Sequence, residues 1–190
     1  MSFFDSFSQK HLVFDGGMGT MLQAAGLPAG ASPDVWNITN PDAVRAVHVA
    51  YLSAGANVIT SNTFGSTTPR QKRGAYKPAE LAAAGVRIVK EAIAASGKTA
   101  YAALDVGPLG EFLEPLGDLT EEEATAYFRE EIEAGVAAGA DCILIETMSA
   151  LDEALVCIKA AKEFGAGLPV LCTLTYSAAG RLMTGETIET

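Results

Sequence analysis

A chain of 190 residues with 49% apolar side chains is long enough to bury a substantial core, and it reads as part of one domain spanning 1–190. Its 23 acidic and 13 basic residues give a formal net charge of −10. The basic ones are scattered apart from Arg70, Lys72 and Arg73, which argues against a nucleic-acid or anionic-membrane surface. Met1 to Lys10 has no basic leader or apolar stretch of signal length, and no run approaches membrane-spanning length. Cys142, Cys157 and Cys172 are widely spaced in apolar sequence, which suits buried thiols in a reducing, cytoplasmic setting.

Short apolar runs alternate with longer segments of helical period along the chain, the βα pattern of a parallel sheet. The runs are Leu12 to Phe14, Asn57 to Thr60, Tyr101 to Leu104, Cys142 to Ile145 and Pro169 to Leu174. They are continuous rather than alternating, as strands covered on both faces should be. Between the first two, Asn40-Pro41-Asp42 offers a helix start, and Val44, Val47, His48 and Tyr51 share one helical face. Gly85, Ile88, Val89 and Ala92 share another. Thr120 with Glu123 spells a capping box, and Ser149 with Asp152 resembles one. Ala54-Gly55-Ala56-Asn57-Val58-Ile59 is echoed by Ala138-Gly139-Ala140-Asp141-Cys142-Ile143, a helix end, glycine turn and strand that suggest a repeated unit.

Five such runs fit an open flavodoxin-like sheet, or the first part of a (β/α)₈ barrel, which usually needs about 250 residues and eight strands. Ser177 to Thr190 reads as turn-like sequence with no closing helix, as though the pattern were interrupted.

In either architecture ligands bind at the C-terminal ends of the strands, where this sequence is unusually polar. Asp15-Gly16-Gly17-Met18-Gly19-Thr20 follows the first run. Its glycines allow backbone N–H groups to approach an anion such as a carboxylate while Asp15 holds an ammonium; equally, they make a plain turn with Asp15 as a helix cap. No Gly-Lys-Ser/Thr follows, so it is not a Walker loop. Thr60-Ser61-Asn62-Thr63-Phe64-Gly65 comes next, with Asn62 able to orient a polar ligand or to satisfy its own loop. Asp105 precedes Val106-Gly107-Pro108 at the third strand end, as a pocket carboxylate or a turn former. Glu146-Thr147-Met148 puts a glutamate where a buried run opens, which favours function because glutamate is rarely buried unpaired. Asp15 with Glu146 suits an α-ammonium group; glycosidase-type acid/base work is the competing use of two carboxylates, and it leaves the glycine nest unexplained. His11, His48, Trp36 and Tyr176 read as structural, and the three cysteines lack metal-ligand spacing.

The order and spacing of Phe14 to Thr20, Trp36-Asn37, Pro41-Asp42, Ala54-Gly55-Ala56, Thr60 to Gly65, Gly107-Pro108 and Glu146-Thr147-Met148 resemble the homocysteine S-methyltransferase family. The likeness is to the homocysteine-binding domain of its cobalamin-dependent methionine synthases, with betaine–homocysteine methyltransferases as relatives. The resemblance implies a TIM-barrel type α/β fold, incomplete here with about five βα units. It implies that Asp15 and Glu146 hold the amino group of L-homocysteine, that the backbone around Gly16, Gly17, Gly19 and Thr20 receives its carboxylate, and that Asn62 supports the pocket. It further implies a Zn²⁺ held by three cysteines that activates the substrate sulfur, with methylcobalamin and methyltetrahydrofolate on other domains, or a sulfonium or betaine donor in relatives.

The family's zinc cysteines lie in a Gly-x-Asn-Cys motif and a Cys-Cys pair, and neither occurs in this sequence. No metal ligand is therefore assigned. The expectation is the N-terminal portion of a methyltransferase substrate domain, truncated and inactive alone, completed by a missing C-terminal half or a second chain. The alternative is a non-catalytic amino-acid-binding or partner-binding module.

Overall fold

The computed structural model describes residues 3–9, 11–67, 69 and 74–190; the basic cluster at Arg70, Lys72 and Arg73 lies outside the described residues. The helices are α1 (Phe3–Gln9), α2 (Met18–Ala24), α3 (Trp36–Thr39), α4 (Pro41–Ala54), α5 (Pro78–Ser96), α6 (Glu121–Ala137) and α7 (Leu151–Phe164). The strands are β1 (Val58–Thr60), β2 (Tyr101–Val106), β3 (Cys142–Met148) and β4 (Val170–Leu174), with a 3₁₀ turn at Pro33–Val35. All strand pairs are parallel, in the order β1-β2-β3-β4. The architecture is a partial barrel of βα units.

The expected first strand is reduced to a single parallel bridge between Phe14 and Val58. The Val13 carbonyl accepts from both Asn57 and Val58 N–H, Asp15 N–H donates back to Val58, and pairing ends there because the chain turns at Gly16. Strands β2 and β3 run further than the apolar runs suggested, so Asp105 and Glu146 sit within strands rather than after them. The period-2 alternation of strand side chains then fixes where they point. In β2, Tyr101 and Ala103 pack in the inner cluster while Leu104 and Val106 pack against the helices, so Asp105 continues the inward series. In β3, Cys142 and Leu144 point inward and Glu146 follows them.

Helices cover the outer face. Phe128 and Ile132 of α6 and Ala154, Cys157 and Ala161 of α7 bury against Leu104, Ile143 and Ile145. Complete burial of a Phe- or Ile-sized side chain contributes roughly 1.5–3 kcal/mol each, so this layer supplies much of the stability. At the opposite end α1 plugs the inner face: Phe3 meets the Tyr101 ring edge-on at 5.5 Å and Ser6 Oγ bonds the Tyr101 hydroxyl.

Helix ends follow local chemistry. Pro41 starts α4, although the Asn40 side chain makes no capping bond. Thr120 and Glu123 form the expected reciprocal box on α6. The Ser149–Asp152 box does not form, because α7 begins one residue later with Ala150 as cap and Asp152 accepts from Glu153 N–H. The repeated unit is real in structural terms. Gly55 (φ 108°) and Gly139 (φ 99°) both occupy the left-handed region at helix ends. Asn57 Oδ1 then receives Val13 N–H, as Asp141 Oδ2 receives Ala102 N–H.

Candidate functional site

Two adjoining cavities open at the C-terminal ends of the strands and share Met18, Ser61, Asp105 and Glu146. The first, about 580 Å³, lies under Gly30 to Asp34 and against Asn62, Phe64 and Gly65. The second, about 500 Å³, is lined by Asp15, Gly16, Gly17 and Thr60 on one side and by Leu144, Leu171 and Thr173 on the other. Four carboxyl groups, those of Asp15, Asp34, Asp105 and Glu146, line the pair of cavities, and among the described residues no lysine, arginine or histidine does.

Asp15 does not cap a helix. Its Oδ2 accepts Thr60 N–H at 3.0 Å and its Oδ1 accepts the Thr60 hydroxyl at 2.7 Å, which pins the carboxylate to the end of β1. Burial raises its pKa to about 6 against the opposing pull of those Thr60 bonds. Gly16 packs so closely that a Cβ there would lie 2.9 Å from Tyr51 Oη, and that hydroxyl donates to the Gly17 carbonyl at 3.1 Å. Gly17 precedes α2 with no side-chain cap, leaving the first-turn N–H groups of Met18, Gly19 and Thr20 without intrahelical acceptors. Gly19 lines the first cavity, whereas Thr20 is exposed and lines neither.

Asn62 is held by its amide. Its Nδ2 donates to Pro33 O at 2.8 Å and Asn37 Oδ1 at 3.0 Å, while Asn37 Nδ2 returns a bond to Asn62 O at 2.7 Å. This lock joins the loop after β1 to the turn before α3. Asp105 N–H donates to Ser61 Oγ, and the Thr63 hydroxyl donates to Asp105 O at 2.6 Å, which fastens the same loop to β2. The Asp105 side chain is buried, its Oδ1 has no donor partner, and Glu146 lies within hydrogen-bond reach of the carboxyl. Desolvation first, then the nearby charges of Glu146, Glu131 and Asp34, push its pKa well above the carboxylate range.

Glu146 lies at a bulge. Ile145 pairs with Cys172 but Met148 with Leu174, so β3 carries one residue more than β4 across this stretch. The extra length is absorbed at Thr147, whose φ of 61° is left-handed, and whose N–H donates to Thr173 Oγ1 at 3.0 Å. Bulges of this kind re-aim neighbouring side chains, here Glu146 into both cavities.

Sequence reasoning passed over Asp34 and Glu131. Asp34 is buried and accepts from Ser32 Oγ and Gly65 N–H. Glu131 is fully buried behind the loop, on the apolar stripe of α6 formed by Ala124, Phe128, Ile132 and Gly135. A glutamate occupying a core slot of a helical stripe was the available signal.

Residues 12–190 match the model of the homocysteine S-methyltransferase family. The chain belongs to that family. It is 29% identical over 201 residues to methionine synthase of Mycobacterium tuberculosis (strain ATCC 25618 / H37Rv), covering 97% of this chain and 17% of that protein. Crystal structures of the homocysteine methyltransferase MmuM from Escherichia coli superpose with TM-scores of 0.83 in the oxidised and metallated forms and 0.74 in the apo form. Those chains are 22% identical to this one, which spans 67% to 69% of their length. They share its fold, and the barrel reading therefore holds over the open-sheet one.

The described residues do not fit the zinc that the family resemblance implies. Among them no three His, Cys, Asp or Glu side chains come together to hold a metal. Cys142 and Cys157 are buried on different elements; Cys172, expected to be buried, is exposed on β4, along whose length burial is incomplete. Desolvation raises all three thiols, Cys142 to about 12, against the thiolate form a metal requires. Among the described residues no helix is long and apolar enough to cross a membrane.

Proposed function

We propose that this chain carries the substrate-binding half of a homocysteine S-methyltransferase site of methionine-synthase type, receiving L-homocysteine for methyl transfer to its sulfur. What supports the reading is the convergence of Asp15, Asp105 and Glu146 on cavities that no basic side chain lines among the described residues, beside the start of α2 where no side chain caps the helix, in a chain of this family. Asp15 and Glu146 take the α-ammonium group. The backbone from Gly16 through Gly17 and Gly19 to Thr20 takes the α-carboxylate, an anion matched to orphan helix N–H donors. Asn62 holds the loop that closes the pocket, and Asp105 backs Glu146. The aliphatic part of the ligand then lies along Leu144 and Leu171, which directs its sulfur away from the charged end.

The sulfur-activating half is assigned to a C-terminal segment or second chain, since the solved relatives are longer than the part this chain matches. Zinc, cobalamin and methyltetrahydrofolate belong to that complement, and the 190 residues alone are expected to be inactive. Three cysteines outside any disulfide support the reading of a reducing, cytoplasmic setting. The second reading, an amino-acid-binding module without catalysis, uses the same pocket.

Isothermal calorimetry with L-homocysteine, with and without Zn²⁺, tests the site. Weak zinc-independent binding that disappears in Asp15→Ala and Glu146→Ala is the expected result; no binding by a folded protein would overturn the pocket. Methyl transfer on adding the complementary segment separates the enzyme from the binding module.

A further inference from the structure

The pocket contains more acid than its ligand can neutralise. An amino acid brings one ammonium group, whereas Asp15, Asp34, Asp105 and Glu146 face the cavities with no basic side chain lining them among the described residues. Asp15 is satisfied by Thr60, and Asp34 by Ser32 and Gly65. Asp105 is different. It is 4% exposed, its Oδ1 is buried with no donor, and the carboxyl within its reach is that of Glu146. Two ionised carboxylates in such a place repel at low dielectric and neither can donate, so a buried acceptor would stay without a donor. A single proton resolves both problems.

We infer that Asp105 holds a proton in the ligand-free pocket, donates it to Glu146 as a hydrogen bond, and releases it to solvent when a ligand ammonium group takes its place. The inference rests on the amino-acid reading of the site. The exchange balances: the Asp105 O–H bond breaks, the proton leaves through the open cavities, and the ammonium group supplies new N–H donors to the two carboxylates. No electron moves. Other groups bearing on Asp105 are Glu131 from α6 and Asp34 from the 3₁₀ turn, both acidic and both favouring the proton on Asp105 until a cation arrives. A cation placed within about 4–6 Å lowers a carboxyl pKa by about 1–3 units, which favours the release. Binding of this kind selects for a cationic amine over a neutral isostere and strengthens as pH rises.

The test avoids the substrate thiol, whose own ionisation would add protons to the count. The purified protein is titrated with L-methionine and L-norvaline, zinc-free, in buffers of matched pH near neutrality and different ionisation enthalpy. About one proton released per ligand is expected, with Kd falling about tenfold per pH unit while Asp105 remains protonated in the free protein. Asp105→Asn keeps a donor toward Glu146 but has no proton to lose, so its proton count falls to near zero and its Kd becomes flat with pH above the range where Asp15 titrates. Infrared spectra of the unliganded protein provide a reading independent of binding and of the variant's affinity. In the Glu131→Gln background, which removes the Glu131 acid, a carboxylic-acid C=O band present at neutral pH and lost on adding Asp105→Asn is expected. Binding without buffer-dependent heat, an unchanged proton count in Asp105→Asn, or no Asp105-dependent acid band overturns the exchange while leaving the pocket standing. Failure of every probe to bind folded protein overturns the pocket itself and the exchange with it.

Discussion

Ser66 Oγ lies 2.5 Å from Glu131 Oε1 and 2.7 Å from the carbonyl oxygen of Thr63. The hydroxyl has one proton: with Glu131 ionised Ser66 donates it to that carboxylate, and with Glu131 neutral the acid donates to Ser66 while Ser66 donates to the Thr63 carbonyl. Burial pushes the Glu131 pKa to about 8, which favours the neutral acid, with Asp34 and Glu130 adding to the rise and the bond that Ser66 donates to the ionised form opposing it. The neutral acid thus anchors the loop carrying Ser61, Asn62 and Phe64 to helix α6.

Keeping Glu131 neutral has a cost that depends on pH. Its folded value lies above the unfolded 4.5, so between about 4.5 and 8 the native protein retains a proton that the unfolded chain has lost. Stability therefore falls as pH rises through that window, by about 3 kcal/mol at pH 7. Glu131→Gln, an isosteric neutral donor, should flatten this slope and match or exceed wild-type stability at neutral pH. Glu131→Leu should release the loop and weaken ligand binding. Urea midpoints measured across the window decide it: a Gln variant that keeps the wild-type slope would place the titration elsewhere.

His48 acts at the other end of the pH scale. Its two ring nitrogens are buried on α4 without partners, and desolvation lowers its pKa to about 4 from the unfolded 6.5. The folded state therefore binds fewer protons, and stability is lost as pH falls through that interval, approaching about 3 kcal/mol at its lower end. His48→Leu, which fills the same apolar slot, should make acid unfolding begin at lower pH. If the acid limb is unchanged, another group sets it.

Much of this was readable from residue order because it follows from period and punctuation. Continuous apolar runs gave the parallel strands, Gly55 and Gly139 the helix ends, and Thr120 with Glu123 a cap. Asp15, Asn62, Asp105 and Glu146 were findable because polar residues at the C-terminal ends of such runs have few structural excuses. Asp34 was not, since it accepts from Gly65 31 positions away, and the apolar stripe that marks Glu131 as buried does not show its contact with Ser66, 65 positions away. The bulge at Thr147 was equally hidden, for nothing in Glu146-Thr147-Met148 announces a left-handed threonine. It emerges only from the pairing of Ile145 and Met148 with β4.

Thr173 should govern how firmly Glu146 is aimed. It accepts the Thr147 N–H at 3.0 Å and so secures a non-glycine residue at φ 61°, a conformation that costs about 1–2 kcal/mol. Thr173→Val keeps shape but removes the acceptor, and should cost about 1 kcal/mol of stability together with a larger proportional loss of amino-acid affinity. Thr173→Ser should restore both. Thr147→Gly relieves the strain but loosens the unfolded chain, so its stability should stay within about 1 kcal/mol of wild type while affinity drops. Equal affinity in all three variants would show that the bulge does not position Glu146.

Asp15 allows stability and binding to be told apart by sign. Burial raises its folded pKa from 3.8 to about 6, so the native state holds an extra proton in that interval and stability declines as pH rises across it. The group is half-buried, and solvent screening reduces this to roughly 1 kcal/mol or a little more. Ammonium capture needs the ionised form and must run the opposite way, weakening about tenfold per pH unit below about 6. Asp15→Asn should remove its own share of both trends, leaving those of Glu131 and Asp105, and should raise stability slightly near neutrality while removing most of the affinity. Calorimetric affinities and urea midpoints from about pH 4 to 7 check the pair together. Trends of the same sign, or an Asn variant that binds like wild type, would show that Asp15 holds Thr60 in place and nothing more.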